Sequence, residues 1–429
     1  MPELDRIERL VIVVRADPVI CGHSVEARNL AEAAIARGIP DVRIVSWPIE
    51  LLESSGLPLK PLATIPEYSP GITVERPDPV GDYKVVDGRY LAGLVGRLFE
   101  LFTDGVPTVA MSLYLSPHTL AVSEALRVAR ATGLPVNVRT IAEAVGSDVT
   151  NVVRSCVDSG RFGAAAQVLA AYLDADHPVA VSEYTRELIV SSAEEVDRMH
   201  GTRFAAHCRE RVAISYPAID ASAYLDLDDA RIDEVVAARG LDRDGYILFL
   251  SRLTQAKGVD DLIAGFERSR AGDGLQLVIA GRGPEAAALR ERAASSPKAA
   301  SIHFLDDVSD TEKPYLMAGA ATYALPSKPR PEFVETFGIA LAEAMLAGGG
   351  PVITADTGGI LEAVGDTALI VPVDDPDAIA DAIDHVAFAL TRDERAAAAD
   401  RAREYALQFD RQAVFDRLFA RFMPALAQV

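Results

Sequence analysis

Short apolar runs recur along this chain, each followed by a loop and then an amphipathic helical stretch. That alternation restricts the fold more than any other feature. Arg9–Arg15 (RLVIVVR), Val42–Ser46, Val106–Ser112, Leu134–Arg139, Val179–Val181 and Val212–Tyr216 read as strands of a first series. A mixed, acidic stretch from Tyr216 to Asp244 follows. A second series then begins, with Tyr246–Leu250 (YILFL), Leu275–Ala280 (LQLVIA), Ser301–Leu305, Thr322–Leu325 and Val352–Thr354. Continuous apolar runs suit strands buried on both faces, as in parallel sheets. Two such series with a break between them predict two doubly wound parallel α/β domains, and 429 residues suit two cores better than one. In open sheets of this kind ligands bind beyond the carboxyl ends of strands, so the residues after each strand carry the functional information.

Local signals refine this outline. Ser24 reads as the N-cap of an Ala-rich helix that runs to Arg37. From Glu53 to Asp87 six prolines punctuate a stretch without helical periodicity, which reads as a long irregular segment, either functional or wrapped on the surface. Leu91, Leu94, Val95, Leu98 and Phe102 fall on one helical face. Its polar side carries little basic charge, so packing on a sheet is expected rather than membrane binding.

Charge excludes several partners. The formal net charge is −21, which opposes binding to nucleic acid and to anionic membrane surfaces. Neither a signal peptide nor an apolar run long enough to span a bilayer is expected. Cys21, Cys156 and Cys208 are widely spaced without metal-ligand spacing, which suits a reduced cytoplasmic compartment.

Two segments carry chemistry. The first, Ser251-Arg252-Leu253-Thr254-Gln255-Ala256-Lys257-Gly258, follows the YILFL run and places two cations at the end of a buried strand. A diphosphate needs such partners: a forked guanidinium and a mobile ammonium, each contact amounting to ~4 kcal/mol at ~4 Å before desolvation. A solvated loop with incidental charges is the other reading. The second runs from Pro326-Ser327 to Glu335-Thr336-Phe337-Gly338-Ile339-Ala340-Leu341-Ala342-Glu343. A helix is expected from about Phe337 through Ala347, its amino end offering N–H groups and a favourable dipole to a phosphate. Glu335 before the helix and Glu343 within it suit sugar and ribose hydroxyls, which need acceptors. Their alternatives are a dipole-favoured acid and a solvated helix residue.

These motifs, with Thr357-Gly358-Gly359-Ile360-Leu361-Glu362 and the VPVDDPDAIADAI segment beyond them, resemble glycosyltransferase family 4, retaining enzymes of the GT-B fold. The resemblance covers the second half of the chain. In the first half it is thinner: the Cys21-Gly22 loop, Gly146-Ser147-Asp148, VSEYTREL, and Tyr216–Asp220. It implies two Rossmann-like domains facing across a cleft. Residues 1–216 would form the acceptor-side domain and 217–405 the nucleotide-sugar domain, with 406–429 returning as a helix to the first. It also implies roles. Arg252 and Lys257 would bind the donor diphosphate and Glu335 the transferred sugar, these three forming the catalytic set. Glu343 would hold the ribose, the Gly338 and Ile339 amides and Gly22 the distal phosphate, and His118, Ser147 and Asp148 would lie on the acceptor side. The chain departs from the family at Ser251, where a glycine is usual, at Val145, where a histidine is usual, at Cys21-Gly22-His23, and in a longer Leu346–Pro351 stretch.

Other signals have plainer readings. Gly281-Arg282-Gly283-Pro284 lacks the third glycine of a dinucleotide fingerprint. Asp226/Asp228 and Asp174/Asp176 read as solvated acids, Cys21 as a small buried residue, and His118 and His23 equally as helix-start histidines without chemistry. The resulting expectation is a metal-independent, cofactor-free hexosyltransferase. It would move sugar with retention from a UDP- or GDP-sugar to a small soluble acceptor such as a cyclitol, aminocyclitol or thiol, and a homodimer is possible. A phosphorylase, a sugar-nucleotide epimerase and a non-catalytic nucleotide-sugar-binding partner remain the alternatives.

Overall fold

The computed structural model describes residues 7–55, 58–79, 89–331 and 333–423. The chain divides into two compact units, one made of Met1–Ala218 with Arg411–Val429 and the other of Ile219–Asp410.

The first unit is built on seven parallel strands: β1 (Arg9–Val13), β2 (Asp41–Val45), β3 (Ile72–Glu75), β4 (Thr108–Leu113), β5 (Val138–Ala144), β6 (His177–Ala180) and β7 (Ala213–Ile214), in the order β3-β2-β1-β4-β5-β6-β7. Every residue of β1 is buried because successive side chains enter opposite cores. Leu10 and Ile12 pack with Leu30 and Ala34 of the Gly22–Ala36 helix and with Phe415 and Phe419 of the Arg411–Phe419 helix. Val11 and Val13 pack with Leu94, Leu98 and Phe102 of the Arg89–Thr103 helix. That helix therefore buries its apolar face on the sheet, each buried side chain contributing about 1.5–3 kcal/mol. Arg9 is buried at the start of β1 and stays charged through Asp41 (2.6 Å) and Asp104 (2.7 Å).

Two local expectations are corrected. The proline-rich stretch contains β3, whose Ile72 and Val74 pack against the core while Thr73 faces water. A four-residue edge strand among prolines leaves too short an alternation to read. Ser24 does not cap the first helix. Cys21 occupies the N-cap with extended backbone and no side-chain cap, while Ser24 is buried inside the helix and reaches Asp17 at 3.5 Å.

The second unit has six parallel strands: β8 (Tyr246–Leu250), β9 (Gln276–Ala280), β10 (Ile302–Leu305), β11 (Thr322–Leu325), β12 (Val352–Ala355) and β13 (Leu369–Val371), in the order β10-β9-β8-β11-β12-β13. In both sheets the strand order reverses beside the first strand of the series, between β1 and β4 and between β8 and β11. Those reversals open crevices at the carboxyl ends of the strands. Among the described residues no helix is long and apolar enough to cross a membrane.

Candidate functional site

The crevice of the second unit gathers most of the residues singled out above. After β8, Thr254 leads into a short helical turn, Gln255–Lys257, and Gly258 follows in the left-handed region (φ 67°). A Cβ at Gly258 would lie 2.0 Å from the Pro326 carbonyl oxygen, so glycine lets the loop after β8 press against the loop after β11. The Lys328 N–H donates to the Ala256 carbonyl at 2.9 Å and fixes the same approach. Lys328 itself is buried. Its ammonium pairs with Asp261 (2.7 Å), Asp260 (2.9 Å) and Asp374 (3.2 Å). Burial pulls its pKa down, but Asp261 and Asp260 hold it above the ordinary lysine value.

This packing sets Lys257 against Glu335 in an ion pair with side-chain exposures of 7% and 12%. The Phe333 ring lies 5.1 Å from the Lys257 ammonium and 5.8 Å from the Arg252 guanidinium, while Arg252 itself is exposed. Glu335 is held from behind as well: its carbonyl accepts from the Gly359 N–H at 2.9 Å, and a Cβ on Gly358 would come within 1.9 Å of that oxygen. The Thr357–Ile360 motif thus serves as the backbone support of Glu335.

The helix beyond spans Ile339–Ala347, starting two residues later than expected because Gly338 is its N-cap, at φ 106°, with no side-chain cap. One turn in, Glu343 is buried and paired with Lys313 at 2.7 Å, and it also meets the Tyr224 hydroxyl. Burial together with the Glu343 charge raises the Tyr224 pKa. Tyr323 on β11 donates to the Leu250 carbonyl at 2.8 Å and lies within the fields of both Glu343 and Glu335. Arg252, Lys257, Glu335, Gly338, Ile339 and Glu343 are thus all carried by the carboxyl-end loops of β8 and β11 and the helix that follows. Reading the sequence missed Lys313, Lys328 and Tyr224. Only the scarcity of lysine in an Arg-rich chain pointed toward the first two.

The residues assigned to the first unit have mixed fates. Gly22 is exposed at the start of the Gly22–Ala36 helix. Ser147 meets the Tyr114 hydroxyl. Asp148 is fully buried: its Oδ1 accepts from the N–H groups of Gly146 (2.9 Å), Val149 (2.9 Å) and Val145 (3.1 Å), and its Oδ2 from Leu115 (2.8 Å). Burial pushes its pKa up to about 6, against those four amides. His118 is also buried. Its Nδ1–H donates to the Leu113 carbonyl, and its Nε2 accepts from the Trp47 indole at 3.3 Å. Burial drives its pKa down to about 3, so the ring is neutral with both nitrogens engaged. Both side chains hold the rim of the sheet together from beneath. Among the described residues no cluster of His, Cys, Asp or Glu is arranged to hold a metal ion. Asp228 caps a helix, and Asp176 accepts from the Thr140 N–H at 2.9 Å.

Two parallel sheets, each with a crevice where the strand order reverses, define a doubly wound α/β protein. Residues 233–405 match the family described as glycosyl transferases group 1. That match lies within the second unit, and the chain as a whole has the GT-B fold of solved glycosyltransferases. A GDP-mannose-dependent alpha-(1-6)-phosphatidylinositol monomannoside mannosyltransferase of Mycobacterium tuberculosis is 33% identical over 196 residues, 42% of this chain and 51% of that protein. The chain therefore aligns with about half the length of that relative. Phosphatidyl-myo-inositol mannosyltransferase of Mycolicibacterium smegmatis is 27% identical over 67% of this chain and 78% of its own. Among solved structures, Anabaena HepE in complex with UDP and glucose superposes with a TM-score of 0.70 at 17% identity, covering 98% of this chain and 100% of HepE.

Proposed function

We propose that this protein is a retaining, metal-independent hexosyltransferase that uses a UDP- or GDP-sugar and a small soluble acceptor, a cyclitol, aminocyclitol or thiol. The observation that carries the proposal is the buried Lys257–Glu335 pair, beside Arg252 and the uncapped start of the Ile339–Ala347 helix. A departing nucleoside diphosphate accumulates negative charge on its distal phosphate. Arg252, Lys257 and the Gly338 and Ile339 amides supply preorganised positive charge there, usually the largest electrostatic contribution to such a reaction. When phosphate enters, Lys257 divides its hydrogen bonds between Glu335 and the phosphate, and Glu335 gains capacity to accept from sugar hydroxyls. Glu343 accepts from the ribose and is held by Lys313. The bond from the anomeric carbon to phosphate breaks, the bond to the acceptor atom forms on the same face, and the acceptor proton passes to the leaving phosphate.

The names of the relatives favour a second reading of donor and acceptor, GDP-mannose and a phosphatidylinositol headgroup. A thermal-shift series with UDP, GDP, ADP and TDP in metal-free buffer tests the donor site. A ligand at a hundredfold over its Kd adds about 2.7 kcal/mol of stability. A shift with one nucleotide identifies the base, after which release of that diphosphate from its sugar conjugate in the presence of soluble or lipid acceptors separates the two readings. No shift with any nucleotide would overturn the donor assignment.

A further inference from the structure

Most arginines of this acidic chain are tied to carboxylates or carbonyls, but Arg15 is not. It stands just past the end of β1, as Arg252 stands just past β8. Its Nε is buried and has no hydrogen-bond partner among the described residues, and no ion pair to it is found there. A buried charged N–H without an acceptor weakens a fold unless something else supplies the acceptor.

The surroundings of Arg15 are polar and convergent. Its guanidinium lies 5.3 Å from the centre of the Tyr114 ring. Tyr114 directly follows β4 and adopts φ 95°, a region that a residue with a side chain occupies only when its neighbours impose it. They do: the Tyr114 N–H donates to the Glu143 carbonyl at 3.1 Å, and the next N–H, of Leu115, is held by Asp148. The Tyr114 hydroxyl is directed to the side chains of Ser147 and Asn151, and the His23 ring lies 5.6 Å from that of Tyr114. Because β1 and β4 flank the reversal of strand order, these groups meet in the crevice where sheets of this type bind ligands.

We infer that Arg15, with Tyr114 and Ser147, forms a subsite for a phosphate carried on a polyol, and that the acceptor of this enzyme is a phosphorylated one. The identification of that ligand as the acceptor rests on the glycosyl-transfer reading above; the phosphate site itself rests on the first unit alone. The guanidinium fork satisfies two phosphate oxygens through two N–H groups, one of them the Nε–H that now lacks a partner. Hydroxyls of Tyr114 and Ser147 serve the third. In a chain of net charge −21 an anionic ligand needs such a local cation to be retained. The phosphate is either a monoester free in solution or a diester in a lipid headgroup; both present two terminal oxygens to the guanidinium fork, and the monoester a third to the hydroxyls.

Calorimetric titration of the full chain decides this, with UDP or GDP present in excess to occupy the donor site. The probes are glucose 6-phosphate and inositol 1-phosphate, against glucose, inositol and glucuronate. Sedimentation with phosphatidylcholine vesicles, with and without phosphatidylinositol, covers the lipid source. At least one phosphorylated probe is expected to bind, its neutral counterpart not. Arg15→Gln should weaken that binding about tenfold or more, and Arg15→Lys less. Unchanged thermal melting of Arg15→Gln in buffer shows that its fold is intact. Phosphorylated probes binding no better than neutral ones, glucuronate binding better than both, or Arg15→Gln binding like the wild type would each overturn the inference. Arg15-dependent phosphate binding without any nucleotide binding would instead remove the donor reading and leave the phosphate site standing.

Discussion

Lys257 and Glu335, 78 positions apart in the sequence, form an ion pair that is almost closed to solvent. Burying either charge alone is costly, and each makes the other tolerable. Lys257→Ala is therefore expected to lower turnover about 10²–10³-fold and to destabilise the protein by about 3 kcal/mol or more, because Glu335 is left buried and unpaired. The double variant Lys257→Met with Glu335→Gln should recover most of the stability and none of the turnover. Denaturant unfolding and a turnover assay on both variants check this. Recovery of activity in the double variant would show that the pair is only structural.

Gly258 is expected to resist substitution for backbone reasons. With φ at 67° and the Pro326 carbonyl 2.0 Å from any Cβ, Gly258→Ala must either shift the loop carrying Lys257 or clash. A loss of more than about 2 kcal/mol is expected, with weakened nucleotide binding in whatever folds. Wild-type melting and binding in this variant would contradict the close approach of the two loops.

Glu26 and Glu143 are both buried in the first unit. They face one another, with Glu26 also accepting from the Ala218 N–H. Burial pushes both carboxyls above the ordinary carboxylate range; the Glu26 charge raises Glu143 further, whereas hydrogen bonds from Ala218 and Glu143 pull Glu26 back down. In the unfolded chain both ionise near pH ~4.3. Above that pH the folded protein retains protons that the unfolded chain has lost, so stability falls as pH rises. Glu143→Gln should be more stable than the wild type at pH 8 and show a flatter pH profile of Tm. Equal slopes for the two proteins would mean that the pair carries no excess proton.

Asp148 holds four backbone N–H groups that link the loops after β4 and β5. Asp148→Asn replaces one accepting oxygen with an amide that faces N–H donors. A destabilisation of about 1–3 kcal/mol is expected, together with loss of order around Tyr114, read by hydrogen exchange of residues 114–119 and 145–149. Protection unchanged in both segments would show that the carboxylate is dispensable to the rim.

Legibility from sequence differed by element for a physical reason. Tyr246–Leu250 and Thr322–Leu325 emerge from the sequence with the bounds the structure has, because a parallel strand buried on both faces must be a continuous apolar run. β3 and β13 escaped notice: they are short edge strands, partly open to water, and need no such run. His118 and Asp148 were visible as polar residues after strands, but only burial distinguishes a rim brace from a ligand contact. Both rim braces lie within a few residues of Tyr114 and Ser147, which sequence spacing cannot separate from them.

The sequence by itself determined two parallel α/β units and singled out the charged loops after β8 and β11, since buried strands, glycine turns and clustered charges are local patterns read within a few residues. The tertiary structure alone decided how those charges are neutralised. Lys313 meets Glu343, Lys328 meets three aspartates and Lys257 meets Glu335. It also left Arg15 over Tyr114 without an acceptor. These are relations between strands that become neighbours only when the sheet forms, across separations at which no local pattern survives.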